Sequence, residues 1–212
     1  MTRIVVFGAG GRAGRRAVEE ATARGHSVTA VVRDAESHRS LAGDGVQVVS
    51  GDVTDAAAVA SVAAGHDAAI TTAARMDVPA VEFFGAATKA LVAGLGKAGV
   101  RRLVLLGMGP VLETAPGRRL LDDPGYPAEY RAFALGHVEQ LDVLAAADLD
   151  WVVLAPPVTF LDDTAARTGR YRTGGAALLE PTDAPLSYAD LAVALVDEAE
   201  EPRHRGLVAV WP

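Results

Sequence analysis

The residues best suited to chemistry lie at the start of the chain, in Phe7-Gly-Ala-Gly-Gly-Arg-Ala-Gly14, directly after the β-branched run 3–7. Gly8, Gly11 and Gly14 stand three residues apart, and Gly8, Gly10 and Ala13 satisfy a second version of the same pattern. Glycine at the first position permits a tight turn out of a strand. At the second it lets backbone approach a diphosphate, and at the third it lets a helix pack close to a sheet. The start of that helix offers unpaired N–H groups and a partial positive charge to phosphate oxygens. Strand, glycine loop and helix in this order predict a dinucleotide crevice; without that context the glycines make only a turn.

The end of the second strand chooses between the two nicotinamide dinucleotides. An Asp or Glu there accepts from a ribose 2′-hydroxyl, whereas an Arg suits a 2′-phosphate. The chain reads Val31-Val32-Arg33-Asp34, with Arg33 first beyond the strand. Arg12, on the glycine loop, is expected to meet Arg33 around a 2′-phosphate, which a guanidinium fork binds well. NADP(H) is therefore favoured. NAD(H) stays open, because Asp34 has the chemistry to take the hydroxyl and Arg33 can pair instead with Asp34 or Glu36. Gly51-Asp52-Val53 follows the third strand. Asp52 suits an adenine amino group and Val53 the face of the ring; a turn or helix-cap role for Asp52 is the other reading.

The elements that must position these residues alternate. Strands are expected at 3–7, 27–32, 46–49, 67–71, 101–106, 151–155 and 207–210. Helices are expected from the glycine loop to about residue 24, and at 55–64, 81–98, 128–147 and 187–200, the last opened by the capping-box spacing Ser187-Tyr-Ala-Asp190. In the long helix Val81, Phe84, Thr88, Leu91, Val92 and Leu95 share one side. Continuously apolar strands separated by helices imply an α/β fold, a doubly wound parallel sheet covered on both faces. Residues 1–212 read as one Rossmann-like domain. The stretch 110–127, with four prolines and two glycines, reads as a long loop of the functional kind. Residues 158–185 read as an irregular insertion on the substrate side.

Composition narrows the chemistry. Half of the 212 residues are hydrophobic and only 5% aromatic, which favours aliphatic layers of helix on sheet. A net charge of −7 argues against nucleic acid or an anionic membrane as partner. Without cysteine there is no disulfide, thiol nucleophile or thiolate metal site. The five histidines show no metal-ligand spacing, so no metal is expected. With no signal peptide and no apolar run near the ~18 residues of a membrane span, a soluble cytoplasmic protein is expected, monomer or homodimer, acting on a small molecule.

Further motifs run through the chain: RGHSVTAVVRD (24–34), GDVTD (51–55), YPAEYRAFALGHVEQLDVL (126–144), LDWVVLAPP (149–157), GRYRTGG (169–175) and SYADLAVALVDEAEEPRHRG (187–206). Together with GAGGRAG (8–14) they resemble the atypical short-chain dehydrogenase/reductase group, in particular its NmrA-like and NADH-flavin reductase members. The resemblance implies a Rossmann fold with a small C-terminal substrate region. It places Thr72 and Ala73 beside the middle of the cofactor, Gly107 and Met108 after the fifth strand, and Pro156 and Pro157 against the nicotinamide. Substrate would enter beneath 110–127 and 158–185.

The resemblance also exposes a departure. Standard members use Tyr-x-x-x-Lys, and the corresponding positions here are Phe133 and His137; the serine often found after strand five falls on Val111. Candidate proton donors are therefore His137, Tyr130 and Tyr126. His137 falls inside the apolar arc of its helix, where it either lines the cleft or is a satisfied core residue. The tyrosines either meet a substrate carbonyl or pack the loop. Reduction of a flavin, quinone or other small conjugated acceptor tolerates the missing pair, because the cofactor carries the hard chemistry. A non-catalytic NmrA-like redox sensor is the alternative.

Overall fold

The computed structural model describes residues 1–157, 161–180 and 184–212. Its strands are β1 (Arg3–Phe7), β2 (Ser27–Val32), β3 (Val46–Ser50), β4 (Ala68–Thr71), β5 (Arg102–Leu106), β6 (Glu113–Ala115), β7 (Arg118–Arg119), β8 (Asp150–Ala155), β9 (Leu161–Asp162), β10 (Arg172–Thr173), β11 (Leu186–Ser187) and β12 (Gly206–Trp211). The helices are α1 (Arg12–Ala23), α2 (Ala56–Ala63), α3 (Ala80–Ala98), α4 (Ala128–Ala145) and α5 (Tyr188–Glu200). Among the described residues the main sheet runs β10-β12-β8-β5-β4-β1-β2-β3, parallel throughout except at the β10 edge. This is a doubly wound Rossmann-like α/β sheet. The strand order reverses between β1 and β4, and a crevice opens there beyond the carboxyl ends of the strands.

Two apolar layers hold the sheet. Along β1, Ile4 and Val6 join the layer that contains Ala17, Ala21, Leu191 and Leu195, beneath α1 and α5. Val5 and Phe7 point the other way, into the layer of Phe84, Leu91, Leu95 and Leu144, beneath α3 and α4. Burial on both faces is why the strands carry no alternation of polar residues. On α3 the buried face includes Phe83, Phe84, Ala87, Thr88, Leu91 and Leu95. Val81, which periodicity puts on that side, is exposed, because Phe83 and Ala87 take the inward positions.

The 110–127 stretch has structure of its own rather than being a simple loop. It holds a 3-10 turn at Gly109–Val111, the β6–β7 hairpin and another 3-10 turn at Leu120–Asp122, anchored by buried Leu112 and Leu121. Within the irregular 158–185 stretch, residues 158–160 and 181–183 lie outside the described residues. The described part is bound to α1 and α5 by polar contacts. Arg167 clamps the buried Glu20 with two bonds of 2.7 and 2.8 Å, and Glu20 also accepts from Arg24 at 2.8 Å. Ser187 caps α5 by accepting from the Asp190 amide, but the reciprocal half of the expected box is absent. The buried Asp190 carboxylate instead accepts from the amides of Thr168 and Gly169 at 2.8 and 2.7 Å and from Thr168 Oγ1 at 2.9 Å. A long-range tie thus replaces a local one.

The α3–α4 interface contains a histidine. His137 lies 4.1 Å from the Phe84 ring centroid and 5.3 Å from that of Phe133, and its Nδ1 is 3.2 Å from Gln140 Oε1. Burial pushes its pKa down to about 4, the Gln140 bond offsetting only a little of the shift.

Two outcomes follow for stability. Asp190→Ala removes the buried acceptor of three charge-assisted hydrogen bonds and is expected to cost about 1.5–3 kcal/mol; trypsin cleavage after Arg167 and Arg170 should accelerate, and unchanged digestion would contradict the tie. The His137 side chain binds its proton more weakly in the folded chain than in the unfolded one. Its contribution is full above the ordinary imidazole value and lost as pH falls toward 4. Urea unfolding should therefore show His137→Phe losing about 2 kcal/mol less than wild type between pH 7 and pH 5; equal losses would sink this account.

Candidate dinucleotide site

The crevice is built around the turn that ends β1. Gly8 has φ +78°, and a Cβ there would lie 2.6 Å from the Ala73 nitrogen and 2.9 Å from the Thr72 carbonyl carbon. A side chain would therefore have to displace the end of β4. The amides of Gly8 and Ala9 both donate to Val31 O at 3.2 Å, tying the loop to β2. A Cβ on Gly14 would overlap the Gly8 carbonyl oxygen and lie 2.8 Å from Ala9 Cα, so the first turn of α1 rests directly on the loop. Gly11 differs: a Cβ there meets only Gly8 O at 3.4 Å, and the residue is exposed. The turn and packing roles thus belong to Gly8 and Gly14, while Gly11 faces open space.

Gly11 is also the N-cap of α1, with no side-chain cap and no acidic residue in the first turn. By contrast Asp55 caps α2, accepting from Ala57 and Ala58, and Ser187 caps α5. The amides of Arg12, Ala13 and Gly14 find no backbone acceptor among the described residues. Such donors, at the positive end of a helix dipole, are the complement of a diphosphate.

The structure separates the two arginines expected to meet. Arg12 donates to Asp163 at 3.1 Å, and its guanidinium lies 5.1 Å from the Tyr188 ring centroid, toward the C-terminal segment. The opposite charge and the aromatic face draw it there, and both partners lie too far along the chain for the local sequence to reveal them. Arg33 is exposed and makes no hydrogen bond or ion pair among the described residues. Its surface alternatives are otherwise engaged. Asp34 accepts from the amides of Glu36 and Ser37 and from Ser37 Oγ, which hold its carboxyl below the usual range, and Glu36 pairs with Arg39. Asp34 is thus a turn cap, and the guanidinium stays available.

Asp52 also serves its own turn. Its Oδ1 accepts from Thr54 N at 2.9 Å and Thr54 Oγ1 at 2.7 Å; these bonds, with the charges of Arg75 and Arg33, lower its pKa. Val53 is buried in the core layer. Farther along the strand ends, Thr72 Oγ1 donates to Gly8 O at 3.2 Å and Ala73 is partly buried. The Gly107 amide donates to Leu154 O at 2.7 Å, and that of Gly109 to Pro156 O at 2.9 Å. These bonds bring the turns after β5 and β8 together, with Pro156 and Pro157 buried.

Of the proton-donor candidates, Tyr126 packs against the cluster of Met108, Val111, Leu121 and Ala134, and burial raises its phenol pKa. Tyr130, in the first turn of α4, is 56% exposed. His137 is deep between two phenyl rings. Sequence reasoning passed over His38, whose ring lies against Gly10, and the partners of Arg12. Only proximity in space marks these three: no periodicity or motif flags His38, Asp163 or Tyr188.

A family profile described as NAD(P)H-binding matches residues 8–202. The 3-diazoavenalumate denitrifying reductase of a Streptomyces species is 36% identical over 197 residues; the match takes in 83% of this chain and 61% of that protein, so the chain spans less than two thirds of its length. A structure from Burkholderia pseudomallei, named as an exported protein, superposes with a TM-score of 0.87 at 36% identity, covering 100% of both chains. A Streptococcus pneumoniae structure named for NADH-flavin reductase gives 0.82 at 26% identity, covering 100% of this chain and 99% of that one. Among the described residues no helix is long and apolar enough to cross a membrane. An uncapped helix set on a glycine turn at the sheet's switch point is the structural form of what the profile matches, and the chain belongs to the NAD(P)H-binding family.

Proposed function

We propose that the chain is an NADPH-dependent reductase of a flavin, a quinone or another small conjugated acceptor. The observation that carries this reading is the set of amides at Arg12, Ala13 and Gly14, with Arg33 beyond β2, none of which has a partner among the described residues. The amides would hold the diphosphate and Arg33 the 2′-phosphate, while Asp34 is already engaged by its own turn. The nicotinamide, when bound, supplies a hydride. The chain's part is to align it beneath Pro156 and Met108 and keep water out. Tyr126 or Tyr130, on the rim at the start of α4, would offer a proton to the acceptor; His137, neutral and interior, would serve the packing of α3 on α4.

The reductase names of two similar proteins support this choice. A compartment rich in reduced nucleotide, the cytoplasm, suits the reading, although one structural neighbour is named as exported. A second reading, a nucleotide-binding redox sensor without turnover, draws support from Phe133 and His137. They stand where a Tyr/Lys pair would act, and both are packed against Phe84.

Gly11→Asp tests the carrying observation. Gly11 has φ −77° and ψ 171°, which suits an Asp N-cap, so the variant should fold with equal or higher Tm. Its carboxylate would occupy the amides, and NADPH affinity should fall by about 100-fold or more. Undiminished binding in a folded variant would overturn the proposed diphosphate site. NADPH oxidation assayed with FMN, quinones and dicarbonyls then separates the two readings: turnover supports the reductase, and tight binding with none of these acceptors reduced supports the sensor.

A further inference from the structure

We propose that His38 is a ligand for the 2′-phosphate of NADPH, and that its imidazole takes up a proton as that phosphate binds. The inference rests on the dinucleotide reading above and adds to it a residue that determines specificity.

His38 belongs to the short 3-10 segment Glu36–Leu41 that follows β2, and its ring folds back onto the glycine loop. A Cβ on Gly10 would overlap His38 Nε2 and lie 2.5 Å from Cδ2 and 3.2 Å from Cε1. The imidazole therefore lies where a Gly10 side chain would stand. The ring thus spans the gap between the two segments that flank the adenosine ribose, the glycine loop and the turn carrying Arg33.

The hydrogen bonding sets the proton chemistry. His38 Nδ1 is 3.0 Å from the carbonyl oxygen of Asp34, and a carbonyl only accepts, so Nδ1 carries a hydrogen. In the neutral ring Nε2 then presents a lone pair, which a phosphate repels. Only the imidazolium has an Nε2–H to donate. Nε2 makes no hydrogen bond among the described residues.

Charged side chains of both signs lie on the two segments. On the same segment Asp34 is committed to Ser37, and Glu36 pairs with Arg39. Arg33 precedes it with no ion pair among the described residues. From the facing loop and helix come Arg12, held by Asp163, and Arg15, whose Nε donates to Gly10 O at 2.9 Å. A bound phosphate dianion, accepting at Nε2, would favour the ring form that carries a hydrogen there. Histidine is the side chain suited to such a change near neutrality. NADH, which lacks the phosphate, would leave the ring neutral.

The experiment is calorimetry of NADPH and NADH with the full chain, in two buffers of different ionisation enthalpy at pH about 7.5, where the phosphate, with a second pKa of about 6, is already a dianion. NADPH should bind with net proton uptake and NADH without it. A phosphate that merely became more ionised against arginines would release protons, the opposite sign. His38→Phe, which keeps a ring over Gly10, should abolish the uptake and weaken NADPH about tenfold or more while leaving NADH within about twofold. His38→Gln, with a donor that cannot titrate, should bind NADPH without uptake. An unchanged NADPH-to-NADH affinity ratio in His38→Phe, or wild-type binding without uptake, overturns the inference and leaves the dinucleotide reading intact. If neither nucleotide binds wild type, both fall together.

Discussion

The structure depends on one close approach, the seating of the first turn of α1 against the turn that leaves β1. Gly14 has no room for a side chain because the Gly8 carbonyl stands where its Cβ would be, and Gly8 has none because the end of β4 passes over it. This contact gives α1 its angle on the sheet, leaves the helix start at the switch point, and aims its amides outward. A single methyl group at either glycine would move the helix or the strand, and with it the geometry of the crevice. Stability and binding share these atoms.

The opposite border of the site is held by charge as well as by apolar packing. The stretch after β8 packs Leu161, Tyr171, Leu178 and Leu179 against the body and is also secured by carboxylates buried on α1 and α5. Glu20 takes Arg167, and Asp190 takes the amides of Thr168 and Gly169. Buried carboxylates with several donors are costly to disrupt and precise in direction. The same segment brings Asp163 to Arg12, so the loop arginine is directed toward the C-terminal segment and Arg33 is left as the cation beyond β2. The polar ties of the C-terminal segment thereby shape the cofactor crevice.

The layers and the glycine loop were legible because they follow from local rules. Buried strands read as continuous apolar runs, helices as 3.6-residue stripes, and the glycine spacing is a demand of backbone geometry. The position of Arg33, first past β2, was legible for the same reason. Other readings failed where a residue's partner lies far along the chain. Arg12 was expected beside Arg33 and found Asp163. Asp190 was expected to complete a local box and holds Thr168 and Gly169. Val81 fitted the stripe of α3 and is exposed, because a periodic pattern does not say how far the covering layer extends.

The sequence by itself determined the family, the order of the main parallel strands and their helices, and the glycine turn that leaves β1, because these are set by side-chain size, periodicity and φ within a few residues. Which polar groups remain free was decided by tertiary structure alone. Asp34 and Asp52 accept from their own turns, His137 is held between Phe84 and Phe133, and His38 is brought to Gly10. A charged or hydrogen-bonding side chain takes whichever partner the fold brings within about 3 Å, and that distance is a property of three-dimensional packing rather than of spacing along the chain.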